Sequence, residues 1–262
     1  MAGIGKTKMA NRPFAVFDID GTLIRWQLYH SLTDNLAARG FIAEENYQEL
    51  KNARMDWKRR SKADAFSKYE RRVIRMFDLA LRKISPGELE LAAQAVFDEY
   101  KDQAYEYTRD LLHELKAAGY FLIAISGSPV EVVSKIAAYY GFDDWRGTTH
   151  YSKNGRFTGA KRVVAYHKDK VLQDLIDKNK LWLEGSIGIG DSKSDIPLLE
   201  IVQRPIAFNP EANLYKHARE HGWEIVVERK NVIYELGMKR DKYILLANDE
   251  VAGSTRRRRG TD

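Results

Sequence analysis

Five short apolar runs, at 14–17, 120–125, 186–189, 206–208 and 224–227, alternate with segments of helical spacing. Each run has the length of a strand rather than of a full helix. The intervening helices read at 109–118, closed by Gly119, at 130–140, stopped by Gly141, and at 167–178 and 211–220. Glycine just past the last periodic residue is the common end of a helix. Strands that alternate with helices predict an α/β fold, a three-layer Rossmann-like parallel sheet with helices on both faces. Ligands of such sheets bind at the carboxyl ends of the strands. One departure from this rhythm is Lys153-Asn154-Gly155-Arg156, where Asn-Gly predicts a tight antiparallel hairpin.

A second feature is the interruption of the pattern between the first run and the second. From 26 to 107 no strand is evident, and apolar residues recur at helical intervals, as at Phe66, Tyr69, Val73, Phe77 and Leu81. We therefore expect a catalytic core over 13–25 and 108–240, with a helical-bundle cap inserted at 26–107. Residues 1–12 read as a flexible basic leader, and 241–262, which include Arg256 to Arg259, as a disordered basic tail. No internal repeat is present.

Composition narrows the chemistry. With no cysteine in the chain, disulfides, cysteine nucleophiles and thiolate metal sites are excluded, and any metal must bind through oxygen or histidine. The longest apolar run, 120–125, is far too short to span a bilayer, and the N-terminus lacks the apolar core of a signal peptide, so a cytoplasmic protein is expected. The net charge of +6 is unevenly placed: twelve basic residues against four acidic ones lie between Lys51 and Lys83, a local excess of eight. That stretch can be a solvated helix face, a funnel for anionic substrates or a nucleic-acid surface. Its aromatics stand at helical spacing, as core residues do, and nothing favours bases over other anions.

The strand ends carry the chemistry. Asp18-Ile19-Asp20-Gly21-Thr22 sets two carboxylates immediately after the first run, with a glycine for a sharp exit. Ser126-Gly127-Ser128-Pro129 ends the second run, and Gly190-Asp191-Ser192-Lys193-Ser194-Asp195 brings another acidic pair just beyond a strand. Bringing these ends together concentrates negative charge, which is costly unless a cation sits there. Oxygen-only ligands suit magnesium.

Taken in order, these motifs resemble the haloacid dehalogenase-like hydrolase superfamily, whose first motif is D-x-D-x-T after a strand. Asp18, Asp20 and Thr22 match it; Ser126 matches the hydroxyl that ends a second strand, Lys168 or Lys170 the lysine that opens a later helix, and Asp191 with Asp195 the acidic pair. A helical insertion after the first motif is similar to the phosphoserine-phosphatase-like branch. The resemblance implies a magnesium-dependent phosphatase that hydrolyses a small phosphomonoester through an aspartyl phosphate. Asp18 would be the nucleophile and Asp20 the general acid and base, its backbone carbonyl on the metal. Asp191 would be the other direct ligand, and Asp195 would hold a metal-bound water or orient its neighbours. Thr22, Ser126, the Gly127 N–H and one of the two lysines would hold phosphate.

Specificity would lie in the cap, with Gln27, Arg71 and Arg72 as candidates. Phosphoserine enzymes of the branch place a glutamate where Gln27 stands, and a neutral amide holds an ammonium group more weakly. The same residues would also serve a phosphotransferase with an acceptor other than water. A noncatalytic anion- or nucleic-acid-binding protein on this scaffold is the other class, against which the full set of carboxylates argues. Two further patterns lack their context. Gly3-Ile4-Gly5-Lys6-Thr7 has no preceding strand, and His217-Ala218-Arg219-Glu220-His221 sits late on a short helix.

Overall fold

The computed structural model describes residues 12–62, 64–230, 232–239 and 242–246. In chain order β1 (Pro13–Phe17) precedes α1 (Leu28–Ala38), α2 (Glu44–Lys58), α3 (Ala65–Leu81), α4 (Pro86–Tyr100) and α5 (Glu106–Ala117). Next come β2 (Phe121–Pro129), α6 (Val130–Tyr140), β3 (Asp144–Lys153), β4 (Arg156–Arg162), α7 (Lys168–Asn179) and β5 (Trp182–Gly190). A 3₁₀ turn at Lys193–Asp195, α8 (Ile196–Leu199), β6 (Arg204–Phe208), α9 (Ala212–His221) and β7 (Glu224–Arg229) follow, before β8 (Val232–Lys239) and β9 (Lys242–Leu245). The chain divides into two compact units, one from 1–17, 106–123 and 168–262, the other from 18–105 and 124–167.

The first unit is built on parallel strands. β1 pairs with β5, β5 with β6 and β6 with β7, so that Phe17 lies opposite Ile189, and Ile189 opposite Ile206. Phe14 to Phe17 are fully buried, as a near-continuous apolar run requires when both faces of a parallel sheet are covered. The carboxyl ends of β1 and β5 are therefore level. Beyond β7, two antiparallel strands, β8 and β9, extend the sheet. This corrects the expected tail: a strand at Lys242–Leu245 occupies the start of the segment read as disordered. The expected leader up to 11, the glycine-lysine pattern at 3–7 and the tail from 247 onward lie outside the described residues.

The second unit holds the helices that the spacing predicts. On α3 the residues Tyr69, Val73 and Phe77 are fully buried, while Arg71 and Arg72 point to solvent on its other face. Leu50 and Ala53 of α2 pack against Tyr69 and Val73. Helix α4 starts at Ser85 with a reciprocal cap: the Ser85 hydroxyl accepts the Glu88 N–H at 3.3 Å, and the Glu88 carboxylate accepts the Ser85 N–H at 2.7 Å. The Asn-Gly hairpin forms between β3 and β4, with Asn154 and Gly155 at φ 51° and 73°, as the favoured two-residue turn demands.

Candidate active site

In the second unit the site begins with a sharp turn. Gly21 takes φ 79°, and the Leu23 and Ile24 N–H groups both return to the Ile19 carbonyl. This folds the chain back so that Asp20 and Thr22 stay in the interior, 9% and 0% exposed, with Asp18 at 4%. The Asp20 carboxylate is held from three sides. One oxygen accepts the Leu28 N–H at 2.5 Å and the Ser128 hydroxyl at 3.0 Å, and the other accepts the Ser126 hydroxyl at 2.5 Å. Ser126 in turn accepts the Ser128 N–H at 2.9 Å.

The two serines reach Asp20 together because they stand two apart on β2, and alternate residues of a strand face the same side. The strand continues through Ser126-Gly127-Ser128, where the sequence reading ends it at Ile125. Sequence reasoning singles out Ser126 and misses Ser128, although the Ser-x-Ser spacing on a strand was the available signal. Gly127, between them, faces the other way: a β-carbon there would stand 3.2 Å from Cβ of Ala165, and its carbonyl accepts the Thr148 hydroxyl at 2.7 Å.

In the first unit the acidic pair after β5 is bound into its own turn. Asp195 is wholly buried, and one of its oxygens meets Lys168 Nζ at 2.5 Å. Its other oxygen accepts the Ser192 N–H and hydroxyl, both at 2.9 Å, and the Asp191 N–H at 3.2 Å. Gly190 is required there, because a β-carbon would come within 2.5 Å of Cβ of Asp195. The Asp191 carbonyl accepts the Glu211 N–H at 2.8 Å, which fixes its backbone from the far side. Lys168 is 2% exposed at the first position of α7, whereas Lys170 lies on the exposed side of the same helix.

Of the remaining candidates, Gln27 precedes α1 and is half-buried, with no side-chain cap bond. Three members of the basic stretch are neutralised nearby: Arg54 by Asp34 at 2.6 Å, Lys68 by Asp64 at 2.7 Å and Lys51 by Glu44 at 3.2 Å. The pair His217 and His221 stack at 4.0 Å on α9, with His221 Nδ1 against the His217 carbonyl at 2.9 Å, which is an arrangement within one helix. Among the described residues no helix is long and apolar enough to cross a membrane.

Comparison with known proteins agrees with this arrangement. A family model described as haloacid dehalogenase-like hydrolase matches residues 15–200. Phosphoserine phosphatase SerB1 of Mycobacterium tuberculosis is 30% identical over 227 residues, covering 80% of this chain and 69% of the relative. A histidinol-phosphatase of Neisseria meningitidis serogroup C is 28% identical over 229 residues, covering 81% and 97%. The solved structure of a phospho-aspartyl intermediate analogue of phosphoserine phosphatase shares the fold, with a TM-score of 0.58 at 20% identity over 84% of this chain and 95% of that one.

Proposed function

The chain belongs to the haloacid dehalogenase-like hydrolase family and is a phosphoric-monoester hydrolase; from this footing we propose that it cleaves a small phosphomonoester through an aspartyl phosphate on Asp18. The observation that carries the proposal is the holding of Asp20, a nearly buried carboxylate fixed by two strand hydroxyls and a helix N–H. A carboxyl so fixed is placed to move a proton rather than to cap a turn.

In this reading the Asp18 carboxylate attacks phosphorus, the ester oxygen leaves, and Asp20 supplies its proton. Asp20 then takes a proton from the water that opens the acyl phosphate and releases inorganic phosphate. Thr22 and the Gly127 N–H would orient the phosphoryl oxygens, with Ser126 turning its one hydroxyl hydrogen from Asp20 to the phosphoryl group when substrate binds and the amino end of α6 contributing its dipole. Lys168 is the lysine of choice over Lys170 because it is buried on Asp195 and already fixed. Asp18 and Asp191, with the Asp20 carbonyl, would supply the oxygen donors for magnesium. Asp195, with both oxygens engaged, would orient Lys168 and the Asp191 loop instead. Magnesium, when bound, would neutralise charge on the phosphoryl group and on the Asp18 carboxylate. The helices between 26 and 107 would form the cap that reads the rest of the substrate.

The test is hydrolysis of p-nitrophenyl phosphate by the chain and by Asp18→Asn. We expect turnover that chelation abolishes and magnesium restores, and none from Asp18→Asn, whose amide cannot attack phosphorus while its shape preserves the fold. Sustained hydrolysis by a verified Asp18→Asn sample would exclude the nucleophile.

A further inference from the structure

Thr148 of β3 is a buried hydroxyl residue that no step of the proposed reaction employs. It is 2% exposed, and its hydroxyl donates to the Gly127 carbonyl at 2.7 Å. The residue before it accounts for so close an approach. Gly147 lies against the junction of β2 and α6, where a β-carbon would meet Cα of Val130 at 2.7 Å and the Ser128 carbonyl at 3.0 Å. A side chain at 147 would push β3 away from β2 and take the Thr148 hydroxyl with it.

The carbonyl that Thr148 holds belongs to the peptide between Gly127 and Ser128. In a trans peptide the N–H points opposite to the carbonyl, and here that N–H donates to the Ser126 oxygen at 2.9 Å. One peptide plane is therefore fixed from both sides. Because the Ser128 N–H occupies a lone pair of Ser126, the single hydroxyl hydrogen of Ser126 turns outward, to one Asp20 oxygen at 2.5 Å. The same peptide carries Ser128, whose hydroxyl meets the other Asp20 oxygen at 3.0 Å. Three hydrogen bonds in series thus connect Thr148 to Asp20. Glycine at 127 makes the restraint necessary, since a residue without a β-carbon leaves its flanking peptides free to rotate.

We propose that Thr148 is a positioning residue of this site. By holding the Gly127–Ser128 peptide it keeps both serine hydroxyls aimed at Asp20, and so sets the carboxyl that would protonate the leaving alcohol. Its effect on turnover rests on the phosphatase reading, whereas its hold on the peptide does not.

Two substitutions separate the bond from the bulk: Thr148→Val keeps the shape and loses the hydroxyl, and Thr148→Ser keeps the hydroxyl. Amide hydrogen exchange, followed by NMR on the full chain, reads the peptide directly. The Ser128 amide should exchange about tenfold or more faster in Thr148→Val than in the parent or Thr148→Ser, with the Leu32 amide of α1 unchanged. In parallel, kcat of Thr148→Val on phenyl phosphate should fall about tenfold, with KM little altered. The loss should be smaller on p-nitrophenyl phosphate, whose leaving group needs less protonation, and Thr148→Ser should stay within about twofold of the parent. If Thr148→Val folds poorly by urea unfolding, Thr148→Ala is read in the same way. Unchanged exchange at Ser128, exchange that quickens equally at Leu32, or equal losses on the two esters would overturn the proposal. Faster exchange confined to Ser128, in a chain whose parent hydrolyses neither ester, would sustain the tether and count against the phosphatase reading instead.

Discussion

In the proposed reaction Ser128 would act through Asp20, because its hydroxyl is one of three donors that fix the carboxylate. A hydrogen bond to a charged group contributes about 1.5–3 kcal/mol, so Ser128→Ala should lower kcat by about tenfold or more on an alkyl phosphate. With p-nitrophenyl phosphate, whose leaving group needs little protonation, the loss should be smaller. Equal losses on both esters would make Ser128 merely structural. His30 is a different kind of buried polar residue, 2% exposed, with its ring 4.7 Å from Tyr69 and 6.3 Å from Trp57. Burial, with Arg54 adding to it, lowers its pKa from 6.5 to about 3. Between those values the unfolded chain binds the proton and the folded chain does not, so stability falls as the pH falls from 6.5 towards 3. Lowering the pH from 7 to 5 should cost about 2 kcal/mol through this residue. Urea unfolding at both values checks it, since His30→Phe should flatten that part of the profile; an unchanged slope would remove His30 as the cause.

At the scale of elements, Ser85 shows how a stability contribution can be separated from the site. Its reciprocal cap with Glu88 serves only the start of α4, and Ser85→Ala should destabilise by about 1 kcal/mol with kcat and KM unchanged. A change in KM would mean that α4 takes part in substrate recognition. Asn154-Gly155 reads directly because a two-residue hairpin needs positive φ at both positions, and the level strand ends read because a covered parallel strand must be apolar. Strands β8 and β9 escape notice because their residues are half-exposed and no buried face imposes alternation on them. Lys168 and Lys170 cannot be separated by spacing, since the choice depends on which side of α7 meets Asp195 across 27 positions of sequence.

For the whole molecule the open term is charge. The chain carries +6 in total, yet the stretch from Lys51 to Lys83 alone has an excess of eight, so the remainder is slightly acidic. Local pairs engage Lys51, Arg54 and Lys68, while Arg71 and Arg72 stay exposed on α3 opposite its buried face. Exposed pairs contribute little to stability, but an unbalanced field over a surface raises the local concentration of anions. We therefore predict that replacing Arg71 and Arg72 with alanine acts on substrate capture rather than on phosphoryl transfer. KM for a polyanionic phosphate should rise several-fold at low salt, and the difference from the parent should shrink as ionic strength approaches about 0.15 M, where charges are screened beyond roughly 8 Å. A monoester with a neutral body should react almost as before, and kcat should hold for both. If both substrates lose the same factor at every salt concentration, the two arginines support the helix bundle, and the basic stretch is a solvated face with no part in recognition.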